Sequence, residues 1–240
     1  SEVIENSSTQ TLPLIKNNTQ DSIQRSDVLK DPLHRISPGF EIPDELKMRT
    51  EFWFNIYTQY DSQVHVIHHM KYPWVIFKII DTRQMIAQGK GPLWLRVDRA
   101  HKMVAKIKNQ IERTLKKLSY RKSIQQLNKE ERVLFSALQN IPGTRSRVLR
   151  EAASSVRSQL GQMDFFISGL KVSSRYLPQM EEIFEQNGLP IELTRLPFVE
   201  SSFNVKAQSK VGASGIWQIM PRTGRAYLNV SNTIDERNSP

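Results

Sequence analysis

The feature that most constrains the fold of this 240-residue chain is an apolar repeat in its middle third. Apolar side chains recur every three or four residues over residues 97–118, and lysine and arginine occupy many of the positions between them. Because successive helical residues are about 100° apart, this spacing puts the apolar side chains on one helix face. The sequence therefore predicts one long amphipathic helix whose apolar stripe packs against a core.

The same region holds most of the positive charge. Residues 90–150 contain 16 lysine and arginine residues against 4 aspartate and glutamate residues, and the whole chain has a formal net charge of +10. The simpler interpretation is a solvated helix face. The functional interpretation is attraction to an anionic membrane surface, an acidic polymer or nucleic acid. Nucleic acid is not expected, because the sequence contains no helix-turn-helix, zinc-finger or aromatic RNA-binding motif.

The residues before this helix divide into a tail, a helix and a hairpin. Residues 1–38 are rich in small polar residues and contain three prolines, so we expect a flexible polar tail. Pro43 stands where a helix would begin, and apolar residues at helical spacing extend that helix to about Gln59. Two short β-like runs, residues 64–67 and 74–80, predict a small hairpin.

Three further helices are expected after the basic one, the last of them ending at the C-cap pair Asn187-Gly188. They cover about residues 130–139, residues 145–170 and residues 178–188. The predicted fold class is mainly α with one small β-hairpin. We expect residues 39–150 to form a helical N-terminal region and residues 151–240 to form a second domain.

The sequence offers no disulfide and no clear metal site. It contains no cysteine, which excludes disulfides, a cysteine nucleophile and thiolate metal ligands. His65, His68 and His69 are close together in the expected hairpin, but no acidic cluster accompanies them, and a metal site needs three or four ligands. We interpret them as edge-strand histidines and expect neither a metal nor another cofactor. No run approaches the ~18 apolar residues of a membrane-spanning helix.

The pattern with the clearest chemical meaning surrounds Glu200. This residue follows Pro197-Phe198-Val199 and precedes Phe203, and no second carboxylate follows it before Asp235. A carboxylate among apolar side chains ionises less readily, which raises its pKa and suits it to donate a proton near neutral pH.

A glycine-containing loop follows this glutamate. Gly212 and Gly215 flank two small residues, and glycine lets a backbone approach a ligand closely. Trp217 offers a flat ring for stacking, and Gln218 offers an amide. On chemistry alone, a solvated glutamate followed by a structural loop is the alternative interpretation, since most glutamates are exposed.

The order of residues in this segment closely resembles a known family. Glu-Ser-Ser-Phe-Asn at 200–204, Ala-Gln-Ser at 207–209 and Gly-Ala-Ser-Gly-Ile-Trp-Gln-Ile-Met-Pro-Arg-Thr-Gly at 212–224 are similar to the lytic transglycosylases of glycoside hydrolase family 23, which have the goose-type lysozyme fold. The upstream Gly-Leu-Pro-Ile-Glu-Leu at 188–193 resembles the membrane-bound D-type branch. The resemblance implies that residues 151–240 are the N-terminal part of a lysozyme-like domain, of the α+β lysozyme superfamily. Because the family completes its cleft with downstream helices, we expect this domain to be incomplete at residue 240.

The resemblance also implies roles for individual residues. It assigns a sole catalytic acid/base, a set of saccharide-binding positions and two supporting positions, and it implies no metal and no cofactor. The catalytic acid/base is Glu200, and the supporting positions are Ser201 and Trp217. The saccharide-binding positions are Ser209, Gly212, Gly215, Gln218 and Met220.

The activity implied by the family is cleavage of the β-1,4 bond between MurNAc and GlcNAc of peptidoglycan without water, which leaves a 1,6-anhydroMurNAc end. The implied partner is the peptidoglycan glycan strand. The implied location is the periplasm or cell envelope, with peripheral association with the cell wall or a membrane; these 240 residues contain no signal peptide. Two alternatives stay open: a non-catalytic peptidoglycan-binding remnant, and a basic helical adaptor that binds an anionic polymer.

Overall fold

The computed structural model describes residues 25–121, 126–231 and 233–239. It divides into two units, with the boundary between residues 41 and 42. The described part of the first unit begins with a 3₁₀ helix, Arg25–Lys30. Most of the expected polar tail, residues 1–24, lies outside the described residues.

The second unit is mainly helical, with one small antiparallel sheet. Short 3₁₀ helices, Ile191–Arg195 and Glu236–Asn238, stand on either side of the last two α-helices. In chain order the elements are α1 (Asp44–Thr58), β1 (Val64–His69), β2 (Ile76–Asp81), α2 (Arg83–Gln88), α3 (Leu93–Ser119), α4 (Lys129–Ala137), α5 (Arg145–Ser154), β3 (Val156–Leu160), α6 (Met163–Ser173), α7 (Leu177–Gln186), α8 (Leu196–Glu200) and α9 (Pro221–Tyr227). In the described part of the chain, no helix is long and apolar enough to cross a membrane.

The long basic helix is confirmed as α3. Its apolar stripe is buried, with Val104, Ile111 and Leu115 at the centre of the larger core cluster. The stripe packs against α5, β3 and α4. Burial of the stripe contributes more to the stability of this helix than helix propensity does, because most helical stability in proteins comes from packing of an amphipathic face.

Three other predicted helices are also confirmed. The helix expected after Pro43 is α1, and the helix expected to end at Asn187-Gly188 is α7, where Gly188 has a φ of 65°. The helix expected at residues 130–139 is α4. It begins with a capping box, in which Asn128 accepts a hydrogen bond from the Glu131 amide and Glu131 accepts one from the Asn128 amide.

The predicted hairpin is confirmed, but the sheet has a third strand that the sequence analysis missed. The strand order is β2-β1-β3, and both pairs are antiparallel. The single helix expected over residues 145–170 is therefore wrong: α5 ends at Ser154, β3 follows, and α6 begins at Met163. The backbone of β1 on the side away from β2 needs hydrogen-bond partners, and β3 supplies them. That requirement is tertiary, so the local sequence of residues 156–160 does not reveal it.

The histidines of β1 are in the centre of the sheet, which corrects their interpretation as edge-strand residues. His65, His68 and His69 are all buried, and every residue of β1 is buried. Burial lowers the pKa of each of the three imidazoles, that of His69 to about 4. Among the described residues, no group of histidine and acidic side chains has the arrangement of a metal site.

A second hydrophobic cluster lies in the C-terminal part. Met180, Phe198, Phe203 and Ile216 are buried there. Hydrogen bonds join this part to α1 and to the loop between α1 and β1. The Gln162 amide donates a hydrogen bond to the Ile56 carbonyl, and the Asp164 carboxylate accepts bonds from Ser62. The start of α6 is therefore anchored to the N-terminal region.

Candidate active site

Glu200 is the last residue of α8, a helix of five residues. Pro197 is in the first turn of this helix. Backbone amides there have no hydrogen-bond acceptor within the helix, so the lack of an amide hydrogen in proline costs nothing. Phe198 and Phe203 are both buried, and their rings meet edge to face with centroids 4.6 Å apart. These two rings hold the end of α8 on the second hydrophobic cluster.

The Glu200 side chain is exposed, which corrects the sequence prediction. We expected a carboxylate enclosed by apolar residues, yet the neighbouring Val199 is 65% exposed while Phe203 is 1% exposed. The reason is geometric: α8 is little more than one turn long, so neighbouring residues point in different directions. Phe198 and Phe203 occupy the interior, and Val199 and Glu200 face outward. The carboxylate is directly accessible to a ligand.

The chain turns sharply after Glu200. Ser202 and Phe203 have φ values of 52° and 57°, a region that non-glycine residues rarely adopt. The Ser201 hydroxyl donates a hydrogen bond to the Ile216 carbonyl at 2.8 Å. This bond ties the turn after Glu200 to the glycine loop. The supporting role of Ser201 in the reaction remains a prediction.

A pocket of about 610 Å³ opens beside Glu200. Among the described residues that line it, Glu200 is the only one with an acidic side chain and Arg175 is the only one with a basic side chain. The other walls come from α6, from the turn between α6 and α7, and from the segment after Glu200. The lining residues are Gln162, Phe165, Ser168, Val172, Arg175, Tyr176, Val199, Glu200, Ser201, Ser202, Phe203, Asn204 and Val205.

The residues predicted to bind saccharide lie in the adjoining loop, outside this lining. The Ser209 hydroxyl accepts a hydrogen bond from the Ala213 amide at 2.9 Å, and the Ser209 amide donates to the Ala213 carbonyl at 2.8 Å. Met220 is exposed and directly precedes α9. The structure thus brings Glu200 and Ser201 together at the pocket and puts Ser209 and Met220 in the neighbouring loop.

The two glycines of this loop have different neighbours. Gly212 and Gly215 have φ values of 89° and 76°, and a Cβ on Gly215 would lie 1.7 Å from the Arg237 carbonyl oxygen. Arg237 is buried, pairs with Asp235 at 2.6 Å, and donates hydrogen bonds to the carbonyl oxygens of Gly212 and Ile219. Gly215 therefore accommodates a close approach of the chain's own backbone, where we expected the approach of a ligand.

Trp217 and Gln218 make contacts within the protein. The Trp217 ring stacks on Phe184 of α7, with centroids 6.1 Å apart and an interplanar angle of 6°. The Gln218 amide nitrogen donates hydrogen bonds to the carbonyls of Ala207 and Gly215, at 3.2 and 2.8 Å. Both side chains stabilise the loop in this structure. Their roles toward a ligand remain predictions.

Residues 180–240 match the family model of the Transglycosylase SLT domain. These residues, about a quarter of the chain, are called the SLT segment below. It begins within α7 and includes Glu200, the glycine loop and Arg237.

The curated relatives are similar to the chain over short stretches. The membrane-bound lytic murein transglycosylase D of Escherichia coli strain K12 is 51% identical over 54 residues, which are 22% of this chain and 12% of the relative. A protein of Alteromonas sp. strain M-1 named for tributyltin chloride resistance is 40% identical over 63 residues, which are 26% of this chain and 30% of the relative. The chain thus spans less than a third of each of these relatives. No solved structure matches the chain.

The pocket beside Glu200 extends beyond the SLT segment. Residues 199–205 are inside the segment, whereas Phe165, Ser168 and Arg175 precede residue 180. The sequence analysis missed these three wall residues. Phe165 and Ser168 are three residues apart on α6, and Arg175 is in the turn that follows this helix, but nothing in the sequence indicates that these residues border Glu200. The packing of α6 against α8 brings them there.

Tyr57 of α1 also lies near the glutamate of the SLT segment. Burial raises the pKa of the Tyr57 phenol, and the negative charge of Glu200 raises it further. The Tyr57 ring meets Phe166 edge to face at 5.9 Å, and Phe166 packs on Phe198 at 5.2 Å. The N-terminal region thus contributes an aromatic side chain to the surroundings of Glu200, a residue for which the sequence offered no functional signal.

Proposed function

We propose that this chain acts on peptidoglycan as a lytic transglycosylase and that Glu200 is its acid/base. The observation that carries the proposal is the position of Glu200. It lies within the SLT segment, it is exposed, and it is the only carboxylate among the described residues that line the adjoining pocket.

The presence of one carboxylate among the described residues that line this pocket supports the proposed reaction. Most glycosidases use two carboxylates, about 5–9.5 Å apart, one as the acid and the other as base or nucleophile. With one carboxylate, Glu200 first donates a proton to the glycosidic oxygen between MurNAc and GlcNAc as the bond to the anomeric carbon breaks. The Glu200 carboxylate then takes the proton of the MurNAc 6-hydroxyl, and that oxygen bonds to the anomeric carbon.

The products of this sequence are a free GlcNAc end and a 1,6-anhydroMurNAc end. No water is consumed, and Glu200 returns to its protonated form. This is the chemistry of glycoside hydrolase family 23, and it requires no metal and no other cofactor.

The proposal includes a partner and a location. The partner is the glycan strand of peptidoglycan, and the location is the periplasm or cell envelope. The name of the Escherichia coli relative, a membrane-bound lytic murein transglycosylase, supports both. The exposed basic residues of α3 suit peripheral association with an anionic cell-wall or membrane surface.

The proposal is tested with Glu200→Gln, which keeps the shape of the side chain and removes the transferable proton. Purified sacculi are digested, and anhydromuropeptides are measured by mass spectrometry. We expect product formation to fall at least about 100-fold, since general acid–base catalysis contributes on the order of 10²–10⁴-fold. Glu185→Gln is the matched control, because Glu185 is an exposed glutamate on α7 outside the pocket.

Each outcome of this assay has a defined meaning. Substantial anhydro product from Glu200→Gln would contradict the role of Glu200, and hydrolysed reducing ends in place of anhydro ends would contradict the reaction. Binding of sacculi without cleavage by the unaltered protein would favour the non-catalytic peptidoglycan-binding alternative. Equal binding of unrelated anionic polymers would favour the basic adaptor.

A further inference from the structure

Arg175 is the one cation in the pocket that contains Glu200, among the residues that the structure describes. Its side chain is exposed and forms no ion pair or hydrogen bond with any described side chain. Of the acidic residues nearest in the sequence, Glu181 pairs with Arg195 and Asp164 accepts a hydrogen bond from Ser62. The guanidinium of Arg175 is therefore available to a ligand that enters the pocket.

The backbone of Arg175 is well anchored. Its amide donates a hydrogen bond to the Val172 carbonyl at 3.1 Å, and the next amide, of Tyr176, donates to the Ser173 carbonyl at 2.9 Å. Tyr176 packs against the second hydrophobic cluster, which also contains Phe198 of α8. The same hydrophobic cluster thus positions the segment that carries Arg175 and the helix α8 that ends at Glu200.

A pocket that holds both a glutamate and an arginine has one more charged group than cleavage of a neutral glycan requires. A neutral saccharide uses hydrogen bonds and stacking, and it leaves a guanidinium without an anionic partner. Arginine presents a planar fork of donors that matches a carboxylate, with two parallel hydrogen bonds. The carboxylates of peptidoglycan come from two sources: the lactyl group of a muramic acid that carries no peptide and, where a stem peptide is joined to the lactyl group by an amide bond, the carboxylates of that peptide.

We propose that Arg175 binds a carboxylate of the saccharide ligand while Glu200 acts on the glycosidic bond, so that the pocket selects acidic, muramic acid-containing glycan over neutral glycan. This inference rests on the proposed function of the same site. It assigns to Arg175 a role in substrate selection, not in proton transfer.

The test measures binding in the Glu200→Gln background, so that no probe is cleaved. Three probes are titrated by calorimetry: neutral chitotetraose, a MurNAc-GlcNAc tetrasaccharide with free lactyl carboxylates, and the same tetrasaccharide with stem peptides. Adding Arg175→Gln should weaken binding of at least one acidic probe by about tenfold or more, as expected for loss of a charged hydrogen bond, and leave chitotetraose binding unchanged. The acidic probe that is affected identifies the source of the carboxylate.

Two further variants complete the test. Lys171→Gln removes an exposed cation of α6 that does not line the pocket, and it should leave the binding of all three probes unchanged. Arg175→Lys keeps the charge and loses the fork, so it should recover part of the lost affinity. Unchanged chitotetraose binding and an unchanged melting temperature show that each variant is folded.

The inference is overturned if Arg175→Gln weakens all three probes equally, if it weakens none, or if Lys171→Gln has the same effect. It is also overturned if the parent protein binds neutral and acidic probes equally well. A different observation would contradict the proposed function: the unaltered protein would release no anhydro product from sacculi. Binding that depends on Arg175 without cleavage would support the inference and contradict the catalytic proposal.

Discussion

Among single residues, Gly188 and Gly215 form a matched pair that separates backbone conformation from crowding. Both have positive φ, 65° and 76°, but a Cβ on Gly188 would meet no atom within 4 Å, whereas one on Gly215 would lie 1.7 Å from the Arg237 carbonyl oxygen. Gly188→Ala should lower the free energy of unfolding by about 1–2 kcal/mol, the cost of a left-handed alanine. Gly215→Ala should lower it by roughly 2–5 kcal/mol, because the overlap with the Arg237 backbone adds about 1–3 kcal/mol to the same conformational cost.

This difference is measured by urea denaturation of the two variants side by side. Equal destabilisation by the two alanines would mean that the approach of Arg237 to Gly215 is absent in solution. The difference matters for function because Arg237 also bonds the Gly212 and Ile219 carbonyls, so crowding at Gly215 would displace the loop beside Glu200.

At the scale of elements, the β1–β2 hairpin depends on a neutral histidine. The Nδ1 atom of His69 accepts hydrogen bonds from the amides of Lys71 and Tyr72, at 3.1 and 3.2 Å, and so fixes the turn that leaves β1. Protonation would convert this acceptor to a donor. Burial, followed by the positive charge of protonated His68, lowers the pKa of His69 to about 4, although Glu151 acts in the opposite direction.

The hairpin should therefore lose stability in mild acid. The unfolded chain takes up the His69 proton near pH 6.5 and the folded chain only near pH 4, so stability is complete above about pH 6.5 and falls as the pH decreases toward 4. His69→Asn keeps an acceptor near the Nδ1 position and does not titrate. Between pH 7 and pH 5, its free energy of unfolding should fall by about 2 kcal/mol less than that of the unaltered protein.

Chemical denaturation at the two pH values measures this effect. His34→Asn, a change at an exposed histidine in the first unit, serves as the control and should keep the full pH dependence. If His69→Asn shows the same loss between pH 7 and pH 5 as the unaltered protein, other groups cause the acid sensitivity.

At the scale of the whole molecule, six exposed basic residues form one face of α3. The exposed basic residues of this face lie opposite the buried apolar stripe and extend over about 27 Å of helix. They are Arg99, Lys102, Lys106, Arg113, Lys116 and Lys117. Part of this charge is neutralised locally, since Lys102 pairs with Asp98.

Neutralising this basic face should weaken retention on sacculi without affecting cleavage. A variant with glutamine at Lys106, Arg113, Lys116 and Lys117 should elute from sacculi at lower salt, while its activity on short soluble fragments stays unchanged. The difference should fade above physiological ionic strength, where the screening length falls below about 8 Å.

The matched control carries glutamine at Lys78, Arg150, Lys171 and Lys210, four exposed basic residues outside α3. It removes the same charge and should keep most of the retention, because the remaining charges of α3 act together on one surface. Equal retention by both variants would favour the simpler interpretation, in which the basic face of α3 is only a solvated helix face.

The local pattern was sufficient for α1, α3, α4, α7 and the hairpin, because their periodicity and end signals are properties of short segments. It was insufficient for β3, since a five-residue strand that completes the sheet depends on the unpaired side of β1, more than 80 residues earlier. The same limit explains the histidines of β1: the sequence showed a hairpin, and only the third strand makes β1 central and buried.

The sequence by itself determined the SLT segment, the position of Glu200 within it and the long basic helix, because these are fixed by the order and spacing of neighbouring residues. Tertiary packing alone decided that Glu200 is exposed, that Gly215 faces Arg237, and that Arg175 shares a pocket with the glutamate. Each of these depends on which surfaces of non-adjacent segments meet in the folded chain. The physical reason is that burial and pocket formation depend on contacts between surfaces, and a linear pattern specifies a surface without specifying its neighbour.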